Sequence, residues 1–220
     1  MMNSVIFCDF DGTITETDNI IALMKQFAPP EWNGIKDQVL SQEISIQEGV
    51  GKMFSLLPST LKEEIIDFLK ETAIIRKGFA DFVNFTKEED IRLYIVSGGI
   101  DFFVYPLLEG LISKEFIYCN ESDFSNEKIK ILWPNSCDET CENGCGCCKP
   151  TIIKRLAHED DHIIVIGDSI TDLQAAKQAH TVFARDFLKE KLTELGIPFH
   201  PFETFHDVIT YLQQQRVVKL

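Results

Sequence analysis

Positive charge is scarce in this 220-residue chain: 21 Lys and Arg stand against 35 Asp and Glu, a net charge of −14. A surface of that sign repels nucleic-acid phosphates and anionic membranes, and no basic run offsets it, so neither nucleic acid nor membrane is an expected partner. Long apolar runs are missing too, and none approaches the roughly 20 residues that a transmembrane helix needs. The chain enters a strand-like run at Val5 with no basic segment ahead of it, the pattern of a protein without a signal peptide, and a cytoplasmic location is expected. Internal repeats and low-complexity segments are also lacking. What remains is an ordinary globular balance, 45% hydrophobic and 25% charged, which excludes disorder and collagen-like or coiled-coil architecture. The length suits one core, or a core with a small inserted domain, and nothing in the pattern marks an oligomer interface.

Val5-Ile6-Phe7-Cys8 is a short apolar run that stops at acidic residues, as a buried parallel strand does. From Asp18 to about Glu71 the pattern is helical, broken at Pro29-Pro30 and Pro58, with capping-box forms at Ser45-Ile46-Gln47-Glu48 and Thr60-Leu61-Lys62-Glu63. This predicts about four short helices in succession. A helix after Gly78 leads to a strand Leu93-Tyr94-Ile95-Val96 that ends in Ser97-Gly98-Gly99, and a helix follows from Asp101. Residues 115–133 predict short strands or a hairpin. Lys149-Pro150 opens a helix with Pro at a permitted position. His162 to Ile166 is a strand ending in Gly167-Asp168-Ser169, Thr181 to Ala184 is the last strand, and helices run from there to the C-terminus. The alternation predicts an α/β protein with a doubly wound parallel sheet.

In such a sheet ligands bind beyond the carboxyl ends of the strands. Three predicted strands end in polar clusters: Asp9-Phe10-Asp11-Gly12-Thr13, Ser97-Gly98-Gly99, and Gly167-Asp168-Ser169-Ile170-Thr171-Asp172; Lys149 begins a helix ahead of the third. Taken singly, each has a bland account: an aspartate caps a helix, a glycine makes a turn, a lysine is solvated. Together they meet the needs of phosphoryl transfer, which are a nucleophile, a divalent cation and positive or N–H groups around the transferring oxygens. Asp9 and Asp168 offer hard oxygen ligands suited to Mg²⁺. Ser97 and the Gly98 N–H suit phosphate oxygens, and Lys149 suits their charge.

These four clusters, in this order, resemble the four motifs of the haloacid dehalogenase-like phosphatases. The resemblance implies that Asp9 is a nucleophile forming an aspartyl-phosphate. It implies that Asp11 protonates the leaving oxygen and then activates water. Asp9, the Asp11 carbonyl and Asp168 would hold Mg²⁺ with Asp172 in support, while Ser97 and Lys149 bind the phosphoryl group. It further implies a core of residues 1–16 and 76–220 and a mobile helical cap of residues 17–75. A narrower resemblance, carried by residues 27–32, 99–106 and 133–150, is to the phosphatases of bacterial methionine salvage, and implies a small enol-phosphate substrate. Met24, Phe27, Trp32, Met53 and Phe54 could line an apolar cap pocket, although such residues more often pack as core.

Two other functions compete. A phosphoserine phosphatase-like enzyme would need a charged clamp for the amino acid, yet there is no Arg between Asp18 and Ile75, only Lys25, Lys36, Lys52, Lys62 and Lys70. A zinc- or redox-responsive binding module that keeps the fold is suggested by the cysteines. Five of seven fall in residues 133–149 of the core: Cys137, Cys141, Cys145, Cys147 and Cys148. Four thiolates at short spacing can close a structural Zn²⁺ site, but the spacing is not a standard paired one and five thiols exceed four ligands. Reduced thiols or disulfides are the other readings of this loop.

Overall fold

The structure, a computed structural model, describes residues 4–139, 141 and 143–217. Positions 1–3, 140, 142 and 218–220 of the ranges given above lie outside the described residues. Among the described residues seven strands form one sheet: β1 (Ser4–Cys8), β2 (Arg92–Ile100), β3 (Ile117–Asp123), β4 (Lys130–Leu132), β5 (His162–Gly167), β6 (Thr181–Ala184) and β7 (His200–Pro201). Their order is β4-β3-β2-β1-β5-β6-β7, parallel throughout except for the antiparallel β3–β4 pair. The chain builds outward from β1 to one side and then to the other, so β1 marks the point where the strand order reverses.

Alternation along β1 supplies both faces of the sheet with apolar side chains. Ile6 and Cys8 join a large cluster with Phe79 and Phe82 of α5 (Phe79–Glu88) and Val208 of α10 (Phe205–Val217). Val5 and Phe7 join a smaller one with Ile152 and Ile153 of α7 (Lys149–Leu156) and Ala175 of α8 (Leu173–Ala176). A two-residue side-chain period in a strand covered on both sides has this consequence. The remaining core helices are α6 (Asp101–Leu107) and α9 (Asp186–Leu195).

Between β1 and α5 the chain makes α1 (Asn19–Phe27), α2 (Trp32–Leu40), α3 (Ile46–Ser55) and α4 (Lys62–Thr72). It leaves and returns at one place, where Thr15 bridges Ile75 antiparallel, Glu16 N donates to Ile74 O (2.9 Å) and Arg76 N donates to Ile14 O (2.7 Å). Leu23, Met24, Trp32, Met53 and Phe54 of these helices are buried in the same apolar cluster as Phe10 and Phe102, while Phe27 is half-buried and packs edge-on against Phe68.

Three local expectations differ from the structure. β2 does not stop at Val96: it runs past the end of β1 to Ile100, where a register shift lets Ile100 pair with Asn120 and Asn120 Nδ2 donates to Gly98 O (2.8 Å). At Ser45 the side-chain cap forms, with Ser45 Oγ accepting from Glu48 N, while the Glu48 carboxylate pairs with Lys52 (2.6 Å). The one at Thr60 does not, because a 3-10 turn over Ser59–Leu61 winds straight into α4 with no extended residue to cap it. Finally, the C-terminal stretch contains β7, a two-residue edge strand whose Pro201 is permitted only at such an edge. No helix among the described residues is long and apolar enough to cross a membrane.

Candidate active site

β1 and β5 deliver their successors side by side. Asp9 N donates to Ile166 O (2.9 Å), carrying the pairing one residue beyond β1, while Asp168 follows β5 directly. Lys149, the first residue of α7, reaches in from the side. Its Nζ lies 2.7 Å from Asp9 Oδ1 and also bonds Asp172 Oδ1, with all three side chains almost wholly buried. Asp172 Oδ2 accepts from the amides of Asp168 (3.1 Å) and Ser169 (3.0 Å). Both Asp172 oxygens are thus engaged, and the residue fixes Lys149 and the turn after β5.

The electrostatics of this group are strained in one direction. Burial lifts the Asp9 carboxyl well above the usual carboxylate range and Asp172 adds to it, with Lys149 opposing. Burial and Asp172 push Asp168 up to about 7, against the hydrogen bond that Thr13 Oγ1 donates to it (2.8 Å) and the charge of Lys149. Burial works against the Lys149 ammonium, but Asp172 and Asp9 outweigh it and raise the group above its ordinary value. Three carboxylates share one ammonium in a dry site, which leaves an excess of negative charge that a cation would relieve. Asp9, Asp168 and Asp172 each place one oxygen within 4.8 Å of the others, and an all-oxygen donor set fits Mg²⁺. Asp168 approaches so closely because Gly12, at φ +79°, has no Cβ: a methyl there would overlap the Asp168 carboxylate.

Asp11 turns away from these groups. Its Oδ1 accepts from the backbone N (3.0 Å) and Nδ2 (2.7 Å) of Asn19, and Ser97 Oγ lies 3.4 Å from its Oδ2. Burial and the charge of Asp18 push its carboxyl up to about 7, with the Asn19 bonds pulling the other way. A carboxyl that titrates near neutrality can give and take a proton in one cycle. Ser97 is buried, its Oγ accepting from Gly99 N (2.8 Å), and Gly98 has open space where a side chain would stand.

Three supporting residues were not identified from sequence. Asn19 orients Asp11, Asn120 holds Gly98, and buried Arg76 donates to the carbonyls of Thr13 (2.7 Å), Gly12 (2.9 Å) and Thr15 (3.3 Å), clamping the loop after β1. Only Asn19 had a signal, as a residue next to the Asp18 helix cap. The other two come from remote segments. In the cysteine loop, Cys137, Cys141, Cys145 and Cys148 bring their sulfurs within 4.8 Å of one another. Cys147 departs from the five-residue set: it is buried with Val5 and Phe7, and its Sγ faces Tyr118 O at 3.7 Å. All seven cysteines are free.

Residues 6–177 match the haloacid dehalogenase-like hydrolase family. The chain is 67% identical over 214 residues to the 2-hydroxy-3-keto-5-methylthiopentenyl-1-phosphate phosphatase of Geobacillus kaustophilus (strain HTA426), covering 97% of each. It is 59% identical over 219 residues to the protein of that name from Bacillus thuringiensis (strain Al Hakam), covering 100% of each. Among solved structures it resembles a substrate-bound phosphoserine phosphatase (TM-score 0.71, 18% identity, 96% of this chain and 99% of that one). It also resembles the phosphoserine phosphatase of T. onnurineus (TM-score 0.69, 16% identity, 96% and 94%). At such identities these two likenesses are of fold alone.

Proposed function

Because the chain belongs to the haloacid dehalogenase-like hydrolases, we propose that it is the phosphatase that hydrolyses 2-hydroxy-3-keto-5-methylthiopentenyl-1-phosphate to 1,2-dihydroxy-3-keto-5-methylthiopentene and phosphate in methionine salvage. The carrying observation for the chemistry is the separation of two carboxylates: Asp9 beside Lys149, and Asp11 held apart on Asn19. The substrate rests on the name borne by relatives of 59–67% identity over nearly the whole chain.

The Asp9 carboxylate attacks phosphorus in line, forming an O–P bond as the ester O–P bond breaks. Asp11 delivers its proton to the departing enol oxygen, then takes a proton from a water that attacks the aspartyl-phosphate and frees Asp9. Ser97 and the Gly98 N–H receive the phosphoryl oxygens, and Lys149 offsets their charge. Asp9 and Asp168 would hold Mg²⁺, with Asp172 behind them; the ion supplies positive charge to the phosphoryl oxygens and to the Asp9 nucleophile.

Asp9, Ser97 and Lys149 are at most 5% exposed. Substrate therefore reaches them only when residues 17–75 swing away, and closure of this helical cap then excludes water. None of the cap's five lysines is buried, so a clamp for the charges of phosphoserine is missing there. The test is turnover with Mg²⁺ of the methylthiopentenyl enol-phosphate against phosphoserine. A preference of a hundredfold or more for the enol-phosphate, on the order of the discrimination a well-matched pocket gives, is expected. Equal rates, or a preference for phosphoserine, would overturn the substrate assignment.

A further inference from the structure

We propose that Cys137, Cys141, Cys145 and Cys148 bind one structural zinc ion that pins the start of α7, and with it the segment carrying Lys149. The inference goes beyond the substrate reading and does not depend on it.

Geometry selects four ligands from five candidates. A zinc–sulfur bond of about 2.3 Å sets the edge of a regular tetrahedron at about 3.8 Å. The Cys141 and Cys145 sulfurs are 3.8 Å apart, and all four sulfurs lie within 4.8 Å of one another. Cys147 lies between two of these ligands in sequence, yet it is turned into the apolar layer under β1 and has no part in the group. Four soft thiolates in a tetrahedral set, with no oxygen or nitrogen donor among them, are a structural zinc site in chemistry. Each ligand is free.

The loop is also held where such an ion would be useful. Cys148 is the residue before α7, its N donates to Asn135 O (2.8 Å), and its Sγ accepts from Thr151 Oγ1 (3.2 Å) in the first turn of that helix. Gly144 O accepts from Gln47 N (3.0 Å) at the start of α3. At φ +59°, Gly144 brings its bare Cα against Ser45, where a Cβ would stand 2.7 Å from the Ser45 Cβ. The cysteine cluster thus joins three parts: the loop, the first turn of α3, and the N-terminus of α7, whose first residue is Lys149 in its bonds to Asp9 and Asp172. Without a metal, the described residues between 133 and 148 form no helix or strand and offer few apolar side chains to hold that arrangement. A structural zinc contributes folding energy outright in such cases.

The experiment measures bound metal in the full chain, purified under reducing conditions without added zinc, by elemental analysis for zinc and iron. It is paired with the visible spectrum of protein grown on cobalt. The expected result is one zinc per chain and the absorption of tetrahedral thiolate-bound cobalt. Cys141→Ser should lose both, and Cys147→Ala should keep both; circular dichroism and the thermal transition confirm that each variant is folded. A wild-type protein with no zinc and no cobalt–thiolate band would overturn the site. Iron in place of zinc would overturn the choice of metal, and loss of zinc from folded Cys147→Ala would overturn the ligand set. All of these readings are made without substrate, so they stand apart from any failure of the phosphatase assignment.

Discussion

In the proposed reaction two aspartates two positions apart meet opposite chemical demands, and their surroundings separate them. Asp9 needs its charge to attack, and Lys149 at 2.7 Å favours that form. Asp11 needs a proton when the leaving group departs, and its burial beside Asp18 raises its carboxyl to about 7. Asn19 holds it by two hydrogen bonds to one oxygen, each worth about 1.5–3 kcal/mol when the carboxylate is charged. Asp11→Asn should lower steady-state turnover about 10²- to 10⁴-fold, the range of general acid–base catalysis. With p-nitrophenyl phosphate, whose leaving group needs no proton, the variant should release one equivalent of nitrophenol in a fast burst and then stall. Stopped-flow absorbance checks this, and unimpaired steady turnover would remove Asp11 from its role. The spacing of Asp9 and Asp11 and the motif around them were legible in sequence. Asn19 was not, because its contact depends on where α1 starts relative to the loop after β1.

At the scale of elements, the site is assembled by strand ends whose register is set far from it. At the opposite end of the strands, Arg92 at the start of β2 pairs with Asp161, just ahead of β5, and Asp161 also accepts from His158 N. These two strands flank β1, so the pair holds the strands that carry Ser97 and Asp168. Burial works against the Asp161 charge, but the His158 amide and Arg92 outweigh it and lower the carboxyl below its ordinary range. A folded-state value below the unfolded one means that the stabilisation is fully present above the unfolded value and is lost as pH falls through the folded one. Asp161→Asn should therefore cost about 1–3 kcal/mol at pH 7, the usual cost of losing a charged hydrogen bond, and less at about pH 3, below the unfolded value. Urea unfolding at the two pH values measures this, and an equal cost at both would exclude the ionised carboxylate as the source. Most elements were legible from period and punctuation: the apolar runs of β1 and β5, the Ser45 cap, and Pro150 in the first turn of α7. Those that were not, β7 and the far end of β2, are short or glycine-bearing and form only through pairing with a neighbour already in place.

Over the whole molecule the net charge of −14 sets the terms on which a phosphate can bind. Three carboxylates at the strand ends add to a surface that already repels anions, and Lys149 is committed to two of them. Inorganic phosphate should accordingly raise Tm only with Mg²⁺ present. At a hundredfold excess over Kd the gain is about 2.7 kcal/mol, or about 5–11 °C for a chain of this size. Thermal unfolding in phosphate, with Mg²⁺ and with chelator, is the measurement; an equal rise in chelator would mean that the protein neutralises the anion unaided.

The sequence by itself determined the α/β class, the order of the catalytic motifs and the family, because apolar period and motif spacing are properties of neighbouring residues. It left five cysteines equivalent, gave no partner to Asp11, and could not say whether Met24, Trp32, Met53 and Phe54 face a pocket or a core. Tertiary structure decided these. It turned Cys147 into the layer beneath β1, set Asn19 against Asp11, and buried the four large side chains in one cluster with Phe10 and Phe102. The physical reason is common to all three: burial and hydrogen bonding join groups brought together by the sheet order, and that proximity is not encoded in local spacing.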